Sequence, residues 1–127
     1  MAELKKKIVV VEDEADILEL INMVLTNAGY EVHLCDNGRD ALDLIKKVRP
    51  HLVILDLMLP GFDGQYIVKT MSETEELVDT SVMIVSALED AEKALRGFVQ
   101  VRDFCIKPFR TSVLLSKVKA IMGDAEN

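Results

Sequence analysis

The sequence predicts a doubly wound α/β domain, in which helices cover both faces of a parallel sheet. Short apolar runs without polar alternation are typical of strands buried on both faces of such a sheet. The clearest runs are residues 8–11, 52–55, 82–85 and 104–106. Segments with helical spacing lie between the runs, so that a strand followed by a helix occurs five times. Right-handed crossovers turn this order into one parallel sheet.

The first two strand–helix units are clear in the sequence. After the first strand come acidic residues that suit a helix N-terminus, and Gly29 suits the stop of that helix. Its apolar residues recur at helical spacing: Ile17, Leu18, Ile21, Val24, Leu25 and Ala28. Residues 32–35 are the second strand and 36–38 a turn. A second helix, carrying Ala41, Leu42, Ile45 and Val48, ends before Pro50.

Three further helices are predicted. Residues 59–61 form a tight turn, and Asp63 caps a helix that carries Ile67, Val68 and Met71. The fourth helix is expected from Glu89 to about Val99, although Gly97 inside it costs roughly 1 kcal/mol relative to alanine. The fifth helix carries Leu114, Leu115, Val118, Ile121 and Met122. Residues 123–127 are expected to be a frayed tail.

Size and charge restrict the class of protein. A chain of 127 residues, 50% of them hydrophobic, is the size of one domain with a single core, so we expect one domain over residues 1–127 with its core at about 5–122. The net charge of −7 argues against a nucleic-acid-binding module, which needs a basic face. The first apolar run, residues 8–11, is too short for a membrane span. We therefore expect a cytoplasmic protein with no membrane or direct nucleic-acid partner.

The apolar runs end in polar residues that suit phosphate chemistry. These residues are Glu12, Asp13, Asp56, Ser86 and Lys107. In open α/β sheets, ligands bind beyond the carboxyl ends of the strands, so these side chains are predicted to converge at one sheet edge. Three carboxylates at one site repel one another and recruit a cation, and an all-oxygen cluster suits Mg²⁺ or Mn²⁺.

This set of residues predicts an aspartyl-phosphate site. One divalent ion together with Lys107 balances three acids, and a carboxylate can then attack a phosphoryl group in line. Asp56 is the predicted nucleophile because it directly follows a buried strand, and Glu12 and Asp13 are predicted metal ligands. Ser86 can donate its hydroxyl to the phosphoryl oxygens, and the small Ala87 leaves its backbone N–H accessible.

A simpler interpretation exists for each residue taken singly. An acid after a strand is more often a helix N-cap than a catalyst, and this applies to Asp13, Asp56 and Asp63. The N-cap interpretation must, however, explain four strand ends independently, each with a residue type that one mechanism requires. Their co-occurrence favours the functional interpretation.

The chain resembles a bacterial response-regulator receiver domain over residues 5–122. The matching motifs are VVVEDEAD, VILDLMLPGFDG, VMIVSA and FCIKPF. The resemblance implies a flavodoxin-like (βα)5 fold with a five-stranded sheet in the order 2-1-3-4-5. It implies that Asp56 receives phosphate from a sensor histidine kinase or phosphotransfer protein, with Mg²⁺ bound by Asp13, Asp56 and the backbone carbonyl of Met58. It also implies a cis peptide bond at Lys107-Pro108 and a switch role for Ser86 and Phe104.

The function implied is a phosphorylation switch without turnover of external substrates. Its output surface would be the fourth helix, fifth strand and fifth helix, acting on a downstream protein or an effector domain, as a monomer or a phosphorylation-dependent dimer. Four positions depart from the family pattern: Gln100-Val101 stands where Gly-Ala is frequent, Ser86 replaces threonine and Phe104 replaces tyrosine. In the implied order, Cys35 and Cys105 lie on opposite edge strands, roughly 19 Å apart, too far for a disulfide.

Residues around the predicted phosphate bear on hydrolysis. Ala87, Met58 and Leu88 would line the access to the phosphorus atom. Neither Met58 nor Leu88 can orient a water molecule, so dephosphorylation is expected to be slow. The alternative is that both are ordinary hydrophobic residues without a kinetic role.

Three other functions compete with this interpretation. A flavin-binding electron carrier of the same architecture needs a phosphate-binding loop after the first strand, where the acidic residues 12–14 would repel phosphate. A Mg²⁺-dependent phosphohydrolase needs a second acid two residues after the nucleophile, where Met58 stands. The third alternative is a degenerate receiver domain that acts only as a docking surface. Such a domain would not need the intact set of acids, Ser86 and Lys107.

Overall fold

The computed structural model describes residues 4–87, 91–95 and 97–124. Five parallel strands form one sheet in the order β2-β1-β3-β4-β5, which confirms the expected topology. The strands are β1 (Lys7–Val11), β2 (Glu31–Cys35), β3 (Leu52–Leu55), β4 (Ser81–Ser86) and β5 (Val101–Ile106). The helices are α1 (Ala15–Asn27), α2 (Ala41–Val48), α3 (Gly64–Glu73), α4 (Ala91–Leu95) and α5 (Thr111–Met122), and a 3-10 helix, Glu75–Leu77, precedes β4. No helix among the described residues is long and apolar enough to cross a bilayer.

The two faces of the sheet carry separate hydrophobic clusters. Successive side chains of a strand point to opposite faces, so Val9 and Val11 pack with α2, α3 and α4, whereas Ile8 and Val10 pack with α1 and α5. The first cluster includes Ile45, Ile67, Met71 and Leu95, and the second includes Ile21, Leu25, Leu114 and Val118. The apolar runs of the sequence are therefore strands covered on both sides.

The predicted turn before α3 is present. The Phe62 N–H donates to the Leu59 carbonyl at 3.2 Å, and Gly61 between them has φ 68°. A positive φ at the third position, after Pro60, defines a type II turn, which favours glycine there. Asp63 then accepts the Gln65 N–H at 2.9 Å and so caps α3, as predicted.

The fourth helix is shorter than predicted. Its described residues are Ala91–Leu95, and Gly97 lies in a turn instead of inside the helix. Val99, which helical spacing would place on the face of the buried Leu95, is 91% exposed. Glycine is unfavourable inside a helix because it loses more backbone conformational entropy on folding than other residues. After Gly97, the Val101 N–H donates to the Phe98 carbonyl at 3.0 Å and forms a turn. The predicted beginning of the helix, Glu89, lies outside the described residues.

Part of the expected tail is held against the body of the domain. Gly123 ends α5 with φ 74°, and Asp124 follows it. The Asp124 carboxylate accepts hydrogen bonds from Lys6 Nζ at 2.6 Å and from the Tyr30 hydroxyl at 2.7 Å. These contacts join the end of α5 to residues at the start of β1 and β2. Residues 125–127 lie outside the described range.

The two cysteines lie where the resemblance implied. Cys35 is on β2 and Cys105 on β5, the two edge strands, and both are buried free thiols. Burial raises the pKa of each thiol. A disulfide between them is excluded by their positions at opposite edges.

Gln100 is a buried polar residue just before β5. Its side-chain Nε2 donates to the Leu77 carbonyl at 2.7 Å and to the Thr80 carbonyl at 2.9 Å. Its own carbonyl accepts the Val82 N–H at 2.8 Å. The start of β5 is therefore fixed to the connection between α3 and β4. At the position of Gln100, the family that the chain resembles often has a glycine.

We expect Gln100→Met to lower the free energy of unfolding by about 1–3 kcal/mol, because the Leu77 and Thr80 carbonyls each lose the Gln100 amide donor, although the Leu77 carbonyl still accepts the Thr80 N–H. Urea denaturation followed by circular dichroism measures this change. Val99→Ser, at an exposed neighbouring position, is the control and should stay within about 0.5 kcal/mol of the wild type. Equal stability of Gln100→Met and the wild type would contradict a structural role for the amide.

Candidate functional site

The site is built where the carboxyl ends of β1 and β3 lie side by side. Val11 and Leu55 are paired in the sheet, so the residues that follow them, Glu12 and Asp56, emerge together. The Asp56 N–H donates to the Val11 carbonyl at 3.1 Å, which extends this pairing to the acid. The predicted convergence of these strand ends is therefore present.

Glu12, Asp13 and Asp56 form an acidic cluster. One carboxylate oxygen of each lies within 4.8 Å of the others. Glu12 is 2% exposed and Asp56 is 4% exposed, whereas Asp13 is more exposed. Two of the three acids are therefore almost completely removed from water, which is costly for charged groups without a compensating cation.

Lys107 supplies one such cation. It follows β5, and its backbone N–H donates to the Ser86 carbonyl at 3.0 Å. Its ammonium lies 2.5 Å from Glu12 Oε1 and 2.8 Å from Asp56 Oδ2. The peptide bond between Lys107 and Pro108 is cis, as the resemblance implied. The Lys107 side chain therefore extends from the end of β5 across the end of β4 and contacts both carboxylates.

The ionisation of the site follows from burial and from these contacts. Burial raises the pKa of Glu12, and the contact with Lys107 offsets this only in part. Burial alone would lower the pKa of Lys107, but the hydrogen bond to Asp56 and the contact with Glu12 outweigh it, and the pKa is raised. The ammonium therefore stays charged at neutral pH.

The acidic cluster fits a divalent oxygen-binding cation. Lys107 balances one of three negative charges, and a divalent ion would balance the remaining two. Glu12 Oε1 is buried and, although it is ion-paired with Lys107, it accepts no hydrogen bond of good geometry within the described part of the chain. An oxygen of this kind is available to a cation or its bound water. Ligation by the Met58 carbonyl stays a prediction; the Met58 N–H donates to Asp56 Oδ1 at 2.8 Å.

The remaining predicted residues lie on or near β4 and β5. Ser86 is 2% exposed and ends β4, which runs between β3 and β5. Ala87, the next residue, is exposed. Phe104 is half-buried and packs against the cluster formed with α2, α3 and α4. Met58 is 55% exposed beside Asp56, and Leu88 lies outside the described residues.

Two residues near the site were not predicted from the sequence. Gly64 permits close packing of the loop after Asp56, since a Cβ there would lie 2.9 Å from the Leu57 Cα. Glu14 donates its N–H to Glu12 Oε2 at 3.1 Å, and its carboxylate lies 3.6 Å from Lys107 Nζ. A glycine directly after the capping Asp63 is the available sequence signal for the first; for Glu14, the sequence shows a third acid after the first strand but no contact with Lys107.

Comparison with known proteins gives consistent matches. The family described as "Response regulator receiver domain" matches residues 8–119. Among solved structures, the chain is similar to chemotaxis response regulator CheY4 of Vibrio cholerae, with 25% identity and a TM-score of 0.85 over 93% of this chain and 99% of that one. It is also similar to the HemR receiver domain of Leptospira biflexa, with 26% identity and a TM-score of 0.84 over 97% and 98% of the two chains.

A longer relative matches over part of its length. The response regulator DrrB of Thermotoga maritima is 33% identical, with a TM-score of 0.79, and the match covers 94% of this chain but 54% of that one. The family match extends over most of the sequence and includes the strand ends that carry the acidic cluster and Lys107. The chain belongs to the response regulator receiver domain family.

Proposed function

We propose that Asp56 is the phosphoacceptor of a signalling switch. The phosphoryl group would come from a sensor histidine kinase or phosphotransfer protein, with Mg²⁺, or Mn²⁺, held by Glu12, Asp13, Asp56 and the Met58 carbonyl. The observation that carries this proposal is the buried Asp56 carboxylate, which belongs to the acidic cluster and is held by the Lys107 ammonium. A bound divalent cation would supply neutralisation of the phosphoryl oxygens.

The residues of this chain have defined tasks in such a transfer. The Met58 N–H orients Asp56 through its Oδ1, and Lys107 holds Oδ2. A carboxylate oxygen of Asp56 would form a bond to phosphorus while the bond between phosphorus and the donor nitrogen breaks. Lys107 would then move from Asp56 to a phosphoryl oxygen, and its ammonium would stabilise the negative charge on that oxygen. The Ser86 hydroxyl would bind a second phosphoryl oxygen.

The response to phosphorylation is proposed to reach β5 through Ser86 and Phe104. Ser86 ends β4. Ile84 lies two residues before Ser86 on β4 and is paired with Phe104 on β5. Phe104 is only half-buried against the cluster formed with α2, α3 and α4, so part of its ring surface is left to bury when Ser86 moves. Repacking there would change the surface formed by α4, β5 and α5.

That surface offers apolar side chains to a partner. Ile106 on β5 is 58% exposed and Val113 on α5 is 42% exposed. We propose that a downstream protein, an effector domain or a second copy of the chain binds there after phosphorylation, in the cytoplasm. The domain would catalyse only its own phosphorylation and dephosphorylation.

Incubation with Mg²⁺ and phosphoramidate is expected to add one phosphoryl group to the wild type and none to Asp56→Asn, because Asp56 directly follows the buried strand β3 and its carboxylate is oriented by the Met58 N–H and by Lys107. Intact-mass spectrometry measures the adduct. A stoichiometric, equally persistent adduct on Asp56→Asn would refute the assignment of the phosphoacceptor.

Glu12→Gln and Asp13→Asn are each expected to weaken Mg²⁺ binding about 10- to 100-fold, since each removes a negative charge from the cluster. Titration calorimetry of the purified protein with MgCl₂ measures this. Glu14→Gln is the matched control, because Glu14 lies near Lys107 but outside the cluster. A loss as large in Glu14→Gln would mean that general surface charge, and not these ligands, holds the cation.

Loss of the phosphoryl group is expected to be slow in the wild type. Met58 and Leu88 cannot orient a water molecule, so replacing them by polar side chains in a Met58→Asn, Leu88→Glu variant should speed hydrolysis by up to roughly 10²-fold. The decay of the phosphorylated species at saturating Mg²⁺, followed by mass spectrometry, measures the rate. A double variant no faster than the wild type would leave both residues without a kinetic role.

A further inference from the structure

We infer that Gln65 is a positioning residue that connects the phosphoacceptor loop to α4. Its side-chain Nε2 donates to the Ala94 carbonyl at 3.0 Å, across the space between α3 and α4. Ala94 lies in the described part of α4, Ala91–Leu95, so this hydrogen bond joins α4 directly to α3. The inference rests on the proposed phosphorylation of Asp56.

The Ala94 carbonyl accepts a hydrogen bond from outside its helix. In a longer helix the N–H of Phe98 would bind it, but that N–H donates to the Leu95 carbonyl at 3.1 Å. Carbonyl groups at a helix C-terminus require such external donors. The Gln65 amide therefore acts as a C-terminal cap of α4 provided by a neighbouring helix.

At its other end, Gln65 is tied to the loop that carries Asp56. Its backbone N–H is accepted by Asp63 Oδ1 at 2.9 Å, the bond that caps α3. The adjacent Gly64 packs against Leu57, which directly follows Asp56. A shift of the loop at Asp56 must therefore move the start of α3 and, with it, the Gln65 side chain.

The segment after α4 is fixed independently of Gln65. Leu95 is fully buried, and Gln100 holds the start of β5 through the Leu77 and Thr80 carbonyls. Loss of the contact between Gln65 and Ala94 would loosen the exposed side of α4, while Leu95 stays buried and Gln100 keeps the start of β5 in place. The contact can therefore be removed without dismantling the sheet.

The contact belongs to the form in which Asp56 is unmodified, because Lys107 bonds directly to the Asp56 carboxylate in the same arrangement. A contact present in one form stabilises that form against the rearranged one. Breaking it should favour rearrangement of α4 and speed phosphorylation by a small phosphodonor about two- to tenfold, the range expected for one hydrogen bond.

The test compares Gln65→Met, which keeps the length of the side chain but has no donor, with Gln65→Lys, whose ammonium can again donate to Ala94. Lys69→Met, a change at an exposed position of the same helix, is the matched control. Two quantities are measured with the purified chain: the rate of phosphorylation by phosphoramidate with Mg²⁺, and the amide hydrogen exchange of a peptide covering α4 without any phosphodonor.

Gln65→Met should show faster phosphorylation and faster exchange in α4, whereas Gln65→Lys and Lys69→Met should resemble the wild type. Unchanged exchange in Gln65→Met refutes the capping of α4 by Gln65. Faster exchange with an unchanged phosphorylation rate refutes the coupling to Asp56. Failure of the wild type to be phosphorylated would instead refute the proposed function, and the exchange measurement would still decide whether Gln65 holds α4.

Discussion

The arrangement of this sheet edge depends on one buried ammonium group. Lys107 lies between Glu12 and Asp56, two carboxylates that are almost fully removed from water. Without a cation between them, the two charges would repel each other, and burial already raises the pKa of Glu12. Removing one partner from a buried ionic group is strongly destabilising, because it leaves a charge uncompensated. The attraction between Lys107 and the two carboxylates therefore helps to hold the ends of β1, β3 and β5 together, in addition to the backbone hydrogen bonds of the sheet.

The alternation of side chains along the strands sorts the functional groups between the two faces of the sheet. On β1 and β3, the residues that face α1 and α5 are Ile8, Val10, Leu52 and Ile54. Continuing the alternation by one step past each strand places Glu12 and Asp56 on this same side. On β4, Val85 faces α1 and α5, so Ser86 falls on the opposite side, with Phe104. The pleat of the sheet therefore places Ser86 and Phe104, the proposed switch residues, on the other side of the sheet from Glu12 and Asp56.

The sequence predicted the features that depend on local patterns. Buried parallel strands have uninterrupted apolar runs, so the strands and the polar residues at their ends follow from the sequence alone. The end of α4 does not, because helical spacing continues to Val99 while Gly97 stops the helix. The bonds of Gln65, Gln100 and Asp124 join residues that are distant in sequence, and such side chains carry no periodic signal. Long-range polar contacts of this kind depend on the folded arrangement itself.

The division of the core into two clusters has a consequence for how the domain can change. The cluster with α2, α3 and α4 and the cluster with α1 and α5 share the backbone of the sheet but have different side chains. Substitutions in separate, non-contacting groups usually have additive effects on stability. Mutations that adapt one face to a new partner should therefore be tolerated without compensating changes on the other. The fold can diversify its two faces independently while the charged edge between them stays the same.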